Sequence, residues 1–275
     1  MQIINCNFGR LGNSIFRMFA NIVFLIVYDI NGTIVYDKSI LHNSCNNIFH
    51  VNEHFFLDWS NKILNGTIPP INNSNIFYFN GYYQHDNIYS IHRQQIIDYI
   101  KNHPDLLLMT DRNDKYIASD LIQFKINKKY SFVVHLRLED FLITEQVISP
   151  ISLSNVIDCV INKHNFDINQ PICFVVNKPE KELEFKYIDF FKNKYNIILE
   201  SNDPMTDYNI MKHADLLVCS YSTLSWCAAF LSDTAKDIYI PDYKNSTNQT
   251  FKNIPNSSLY DIEFCNVEKL KSILG

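Results

Sequence analysis

From residue 130 onward the chain alternates short apolar, largely β-branched runs with segments of helical length. YSFVVHL (130–136), ICFVV (172–176), NIILE (196–200), DLLVCS (215–220) and DIYIP (237–241) read as strands. Between them the pattern predicts a helix from about Ser152 to His164, then KELEFKYIDFFKNKY behind Pro179, TDYNIMKHA, and STLSWCAAFLS. Strands with no polar alternation are buried on both faces, which calls for a parallel sheet covered by helices above and below. The fold class is therefore α/β.

The first half opens the same way. QIINC (2–6) reads as a buried strand, GRLGN as a turn, and SIFRMFANIVFLIVYD as a buried helix. TIVYD (33–37) is the next strand candidate. Residues 40–80 are Asn-rich, contain Pro69-Pro70, and read as irregular. A helix is expected from Ile88 to Lys101, ended by Pro104. A boundary at 125–130 separates an N-terminal α/β domain (1–128) from a C-terminal Rossmann-like domain (129–275). The terminal helix NVEKLKSIL is free to pack on either.

Composition narrows the function classes. With 24 Lys+Arg against 29 Asp+Glu and a net charge of −5, the chain is a poor nonspecific binder of nucleic acid or membrane surfaces. No apolar run reaches the roughly 20 residues that span a bilayer. The N-terminus lacks the pattern of a signal peptide. The seven cysteines form no C-x-x-C pair and several sit inside apolar runs, so they read as free thiols in a cytoplasmic protein. Glycine occurs only at 9, 12, 32, 66, 81 and 275, and arginine only at 10, 17, 93, 112 and 137. In a chain that otherwise uses lysine, an arginine at a strand end is informative.

Most common signatures are missing: no G-x-G-x-x-G, no P-loop, no G-x-S-x-G and no D-x-D. HVNEH (50–54) fits the H-x-x-E-H zinc pattern, but its surroundings are poor helix context, and no metal is expected. Three strand-to-helix junctions carry chemistry. Gly9-Arg10-Leu11-Gly12-Asn13 can present backbone N–H groups and a charge to an anion, or can be an ordinary tight turn. His135 and Arg137 fall on one strand face and Leu136 and Leu138 on the other. Arg137 is suited to bidentate phosphate binding, or to a structural ion pair with Glu139 or Asp140. Ser220 to Trp226 clusters hydroxyls at a helix start, where Ser222, Thr223 and Ser225 can serve phosphate oxygens or cap the helix, with Trp226 as packing. Together these suit a nucleotide diphosphate held in a cleft between two domains.

At these residues the chain resembles the α-1,2-fucosyltransferases of glycosyltransferase family 11 and, more distantly, the wider fucosyltransferase group. GRLGNSIFRMFA is similar to G-G-L-G-N-Q-x-F-Q-x-x-x-A, and VVHLRLEDF to V-x-H-x-R-R-G-D-Y. Residues 207–231 are similar to D-F-x-x-M-x-x-C-x-H-x-I-x-x-N-S-[ST]-F-S-W-W-x-A-x-L, and Gly81-Tyr82-Tyr83-Gln84 to G-Y-[FW]-Q.

The resemblance implies a GT-B fold, two Rossmann-like domains facing across a cleft. It also implies inverting, metal-independent transfer of fucose from GDP-L-fucose to a glycan acceptor, with no cofactor. By the same resemblance Arg137 and Asp140 are the catalytic pair. Arg10, Gly12, Asn13, His135, Arg137, Ser222, Thr223 and Ser225 hold the donor. Leu138 stands where the family has a second arginine, Tyr221 replaces its Asn, and Cys227 its second Trp. Asn177-Lys178-Pro179 replaces an acidic S-D-D. Two other readings stay open: a non-catalytic sugar-nucleotide or glycan-binding protein on this scaffold, and a transferase using another nucleotide sugar.

Overall fold

The computed structural model describes residues 1–6, 8–36, 47–71, 74–123, 128–242 and 253–275. The chain divides into two compact units, Met1–Phe124 and Lys125–Gly275. Each is built on a parallel sheet.

In the first unit, β1 (Gln2–Asn5) leads through the Gly9 turn into α1 (Leu11–Val27), followed by β2 (Thr33–Val35). Helix α1 is buried on nearly every face, as its apolar density predicts. β3 (Ile48–Val51), α2 (Glu53–Leu64) and β4 (Ile76–Phe79) come next and complete a parallel sheet ordered β2-β1-β4-β3. This corrects the expectation of irregular chain across 40–80, of which residues 40–46 and 72–73 lie outside the described residues. Asn52 starts α2 by accepting the Phe55 N–H at 2.8 Å. Phe56 and Trp59 then anchor α2 in an aromatic core with Phe24 and Phe77. The Pro69 carbonyl accepts the Tyr28 hydroxyl, which in turn accepts Trp59 Nε1–H. The expected helix from 88 to 101 is two, α3 (Asp86–Ile91) and α4 (Arg93–Asn102), divided at His92. A β5 (Leu107–Met109) and β6 (Lys115–Ile117) hairpin and a single turn, α5 (Asp120–Gln123), close the unit.

The second unit contains β7 (Phe132–Leu136), α6 (Glu139–Ile143), β8 (Val147–Ile148), α7 (Pro150–His164), β9 (Ile172–Val176), α8 (Glu182–Lys192) and β10 (Ile197–Glu200). It continues with α9 (Pro204–Lys212), β11 (Leu216–Val218), α10 (Thr223–Phe230), β12 (Asp237–Asp242), β13 (Ser257–Asp261), β14 (Phe264–Cys265) and α11 (Val267–Leu274). Helix α8 begins after Lys181 because the Glu184 carboxylate accepts the Glu180 and Lys181 N–H groups. Leu270 of α11 joins the core beneath this sheet. Six strands pair in parallel in the order β10-β9-β7-β11-β12-β13. Renumbered within the unit, that order is 3-2-1-4-5-6, the doubly wound arrangement of dinucleotide-binding domains. The order reverses between β7 and β11, and ligands of such sheets bind beyond the strand ends at that point.

Candidate functional site

Both chemistry-bearing junctions of the second unit lie at this reversal. β11 ends at Val218, opposite Val134, whereas β7 runs on to pair His135 and Leu136 with β9 alone. The chain leaving β11 therefore passes beside His135. Ser220 Oγ lies 2.7 Å from His135 Nδ1. His135 is buried. Burial first, and the charge of Arg137 second, push its pKa down to about 3, so the imidazole is neutral near pH 7. Tyr260 braces the same strand end by donating to the Cys219 carbonyl at 2.7 Å.

Strand alternation holds. Leu136 and Leu138 enter the core with Phe132 and Val134, and His135 faces the other way toward Ser220. Arg137 follows the strand. Its Nε–H and one Nη2–H engage the Asp140 carboxylate at 2.8 and 2.9 Å, and its guanidinium lies 5.5 Å from the Phe141 ring centre. Of the five guanidinium N–H donors, the side-on pair is thus occupied, and the end-on pair on Nη1 and Nη2 is left for a ligand. A small pocket at this point is lined by His135, Arg137, Phe141, Ser220 and Tyr221.

The α10 junction is shaped by its serines. Ser222 is the N-cap: its Oγ accepts the Leu224 N–H at 3.3 Å, leaving the hydroxyl proton for another acceptor. Thr223 opens the helix, whose first N–H groups point out of its N-terminus. Ser225 is completely buried and its hydroxyl donates to the Ser220 and Ser222 carbonyls, so it is engaged in holding the turn. Trp226 stacks on Phe230 in the core, in keeping with its packing assignment.

In the first unit, Gly9 adopts φ +76°, and a Cβ there would stand 2.6 Å from Asn13 Nδ2. Only glycine suits that turn. Arg10 precedes the helix with extended backbone, and its carbonyl accepts the Ser14 N–H at 3.1 Å. Gly12 is buried in the first turn. Asn13 Oδ1 accepts a hydrogen bond from Gln84 Nε2 at 3.1 Å, and Phe8 meets Tyr82 edge-on at 4.8 Å. The GRLGN and GYYQ segments are therefore one cluster.

Sequence reasoning named Ser220 in the hydroxyl cluster without its role beside His135, and gave Glu53 none beyond the zinc pattern. Ser220 partners His135, and a hydroxyl two residues past a strand end carries no signature of that. Glu53 Oε2 accepts the Tyr82 and Tyr83 N–H groups at 2.7 and 2.9 Å, fixing the GYYQ loop in which Tyr83 takes φ +53°. Burial pushes the Glu53 carboxyl up, but bonds from His85 and from the Tyr83 and Tyr82 N–H groups outweigh it, and the net shift is downward. Glu53 belongs to the HVNEH pattern, whose register is also explained. His50 lies in β3 and Glu53 opens α2, so the two histidines do not share a helix face. Among the described residues no group of three or more His, Cys, Asp or Glu side chains is placed to hold a metal, and no helix is long and apolar enough to cross a membrane.

No protein-family model matches the chain, and no curated protein matches it by sequence. Among solved structures it is similar to Escherichia coli heptosyltransferase WaaC with ADP. That match spans 99% of this chain and 98% of that one, at 8% identity and a TM-score of 0.49. It is also similar to POFUT1 in complex with GDP-fucose, over 87% of this chain and 97% of that one, at 12% identity and a TM-score of 0.43. E. coli ADP-heptose LPS heptosyltransferase II matches over 94% and 90%, at 9% identity and a TM-score of 0.40.

Proposed function

We propose that the chain is a glycosyltransferase of GT-B type that takes a sugar from a nucleotide diphosphate donor. GDP-L-fucose is the donor and a glycan hydroxyl the acceptor. The observation that carries this reading is the pairing of Arg137 and His135 with Ser220 and the Ser222-capped α10 N-terminus at the strand-order reversal. The family resemblance of the same residues supports the choice of donor.

In this reading the end-on fork of Arg137 takes two diphosphate oxygens. The Ser222 hydroxyl and the N–H groups at Thr223 take others. Positive charge and aligned dipoles there stabilise the diphosphate as it departs, without a metal. Neutral His135, held by Ser220, serves as a hydrogen-bonding group beside Arg137. Ser225 shapes the loop. Asp140 fixes the guanidinium through both carboxylate oxygens, which suits a positioning residue better than a base for the acceptor hydroxyl.

The test is a thermal-shift panel of GDP, UDP, ADP and dTDP with and without EDTA, followed by GDP-fucose turnover on a glycan array. GDP should stabilise most, and EDTA should not matter. Absence of any nucleotide effect refutes the reading, and preference for UDP refutes fucose. Binding without turnover supports the alternative of a non-catalytic binder. That alternative has an observation of its own: Leu138, where the family has its second arginine, is buried in the core.

A further inference from the structure

Arg17 is wholly buried on α1, and its Nε, Nη1 and Nη2 have no hydrogen-bond partner among the described residues. Burial pushes its pKa down, and the described groups that act against this are Tyr36, Cys6, Tyr83 and Tyr82, none of them a carboxylate. The half-buried Phe8 ring covers one face of the guanidinium, 4.6 Å from its carbon. Three more unpartnered buried groups belong to the same region. Asn21 stands one helical turn from Arg17 on the same face, with neither amide atom bonded. Asn5 at the end of β1 is likewise unbonded, and the Tyr36 hydroxyl lies near it without a bond of proper geometry.

A lone buried charge costs several kcal/mol, and unpaired amides add to it. Chains do not keep such a cluster for stability, since an apolar side chain of equal length would pack more favourably. Among the described residues, none supplies the cluster with an anion.

We propose that Arg17, Asn5, Asn21 and Tyr36 form a receptor for the carboxylate of an acidic sugar, the acceptor of the transfer proposed above, on which this assignment of role rests. A ligand reaches the buried guanidinium only if the half-buried Phe8 ring over its face swings aside, and the edges it then meets match a planar carboxylate bidentately. The two side-chain amides offer carbonyl oxygens as well as N–H groups. A sugar acid supplies hydroxyls to those carbonyls, whereas an inorganic phosphate dianion leaves them unpaired. Arg17, the seventh residue of α1, packs under Phe8, three residues beyond the C-terminal end of β1, the end of a parallel sheet where ligands bind.

The experiment compares thermal unfolding of the full chain and its Arg17→Met variant. Additions are glucuronate or galacturonate, the neutral sugars glucose and galactose, inorganic phosphate, and GDP, at matched ionic strength. The uronates should stabilise the wild type more than the neutral sugars or phosphate do. Arg17→Met should unfold at a higher temperature unliganded and keep its GDP response, with uronate binding weaker by roughly tenfold or more. A lower unfolding temperature for unliganded Arg17→Met would make the arginine structural and overturn the proposal, as would a wild type that responds equally to uronate and neutral sugar. Stabilisation by phosphate above uronate would overturn the carboxylate. Where the variant does not fold, the wild-type uronate response decides. Loss of the GDP response alone would count against the transferase reading and leave the carboxylate site standing.

Discussion

Replacing Arg137 by lysine separates a ligand-binding arginine from a structural one. Arg137 is largely buried and Asp140 is about half exposed, 14% and 42% by side chain. An ion pair of that exposure stabilises a fold by about 0.2–1 kcal/mol. Even complete loss should therefore lower the unfolding temperature by no more than about 2–4 °C for a domain of this size. Ligand binding should suffer far more. The guanidinium holds Asp140 side-on and keeps its end-on fork for two phosphate oxygens. An ammonium, with three donors on one nitrogen, cannot do both. The loss of a charge-assisted bidentate contact is worth about 1.5–3 kcal/mol, roughly 10- to 150-fold in Kd for GDP by titration calorimetry. If GDP affinity stays within about twofold while the unfolding temperature falls by more than about 4 °C, the arginine is structural and the reasoning fails.

Ser220→Ala leaves His135 Nδ1 buried and unpaired, and should cost about 1–3 kcal/mol in denaturant unfolding; no measurable cost would mean that the bond is incidental. Because the folded pKa of His135 is about 3 against 6.5 in the unfolded chain, the unfolded state binds the extra proton. Its contribution is complete above pH 6.5 and is lost as pH falls toward 3. Burial raises the Asp207 carboxyl to about 6, which acts with opposite sign as pH rises from 3.8. The stability difference between wild type and His135→Gln, measured across pH 3–8, isolates the histidine and should shrink on acidification; a flat difference would contradict a buried neutral imidazole. Gly9→Ala meets both a left-handed backbone and Asn13, and should destabilise the first unit by about 1–3 kcal/mol in denaturant unfolding, with little effect if the turn relaxes freely.

Where local pattern and tertiary demand agree, the sequence was readable. The strands at 132–136, 172–176 and 216–218 and the helices α7, α8 and α10 follow from apolar runs and caps. Residues 47–79 misled because asparagine-rich composition masks an N-capped helix between two aromatic strands, and only packing against Phe24 makes that helix worthwhile. The short α6, β8 and β14 lie below the length at which any period can be recognised.

By itself the sequence determined that the chain is α/β, that arginine and hydroxyls stand at strand ends, and that His135 and Arg137 share a face opposed to Leu136 and Leu138. Those are properties of neighbours along one strand, set by the two-residue pleat. Tertiary structure alone decided that β7 and β11 are adjacent at the reversal of strand order, which brings Ser220 to His135 across a separation of 85 residues. It also decided that Ser225 turns inward while Ser222 caps, and that Arg17 is buried with no hydrogen-bond partner among the described residues. Each depends on which strand pairs with which, and that is settled by burial of the whole sheet rather than by any local preference.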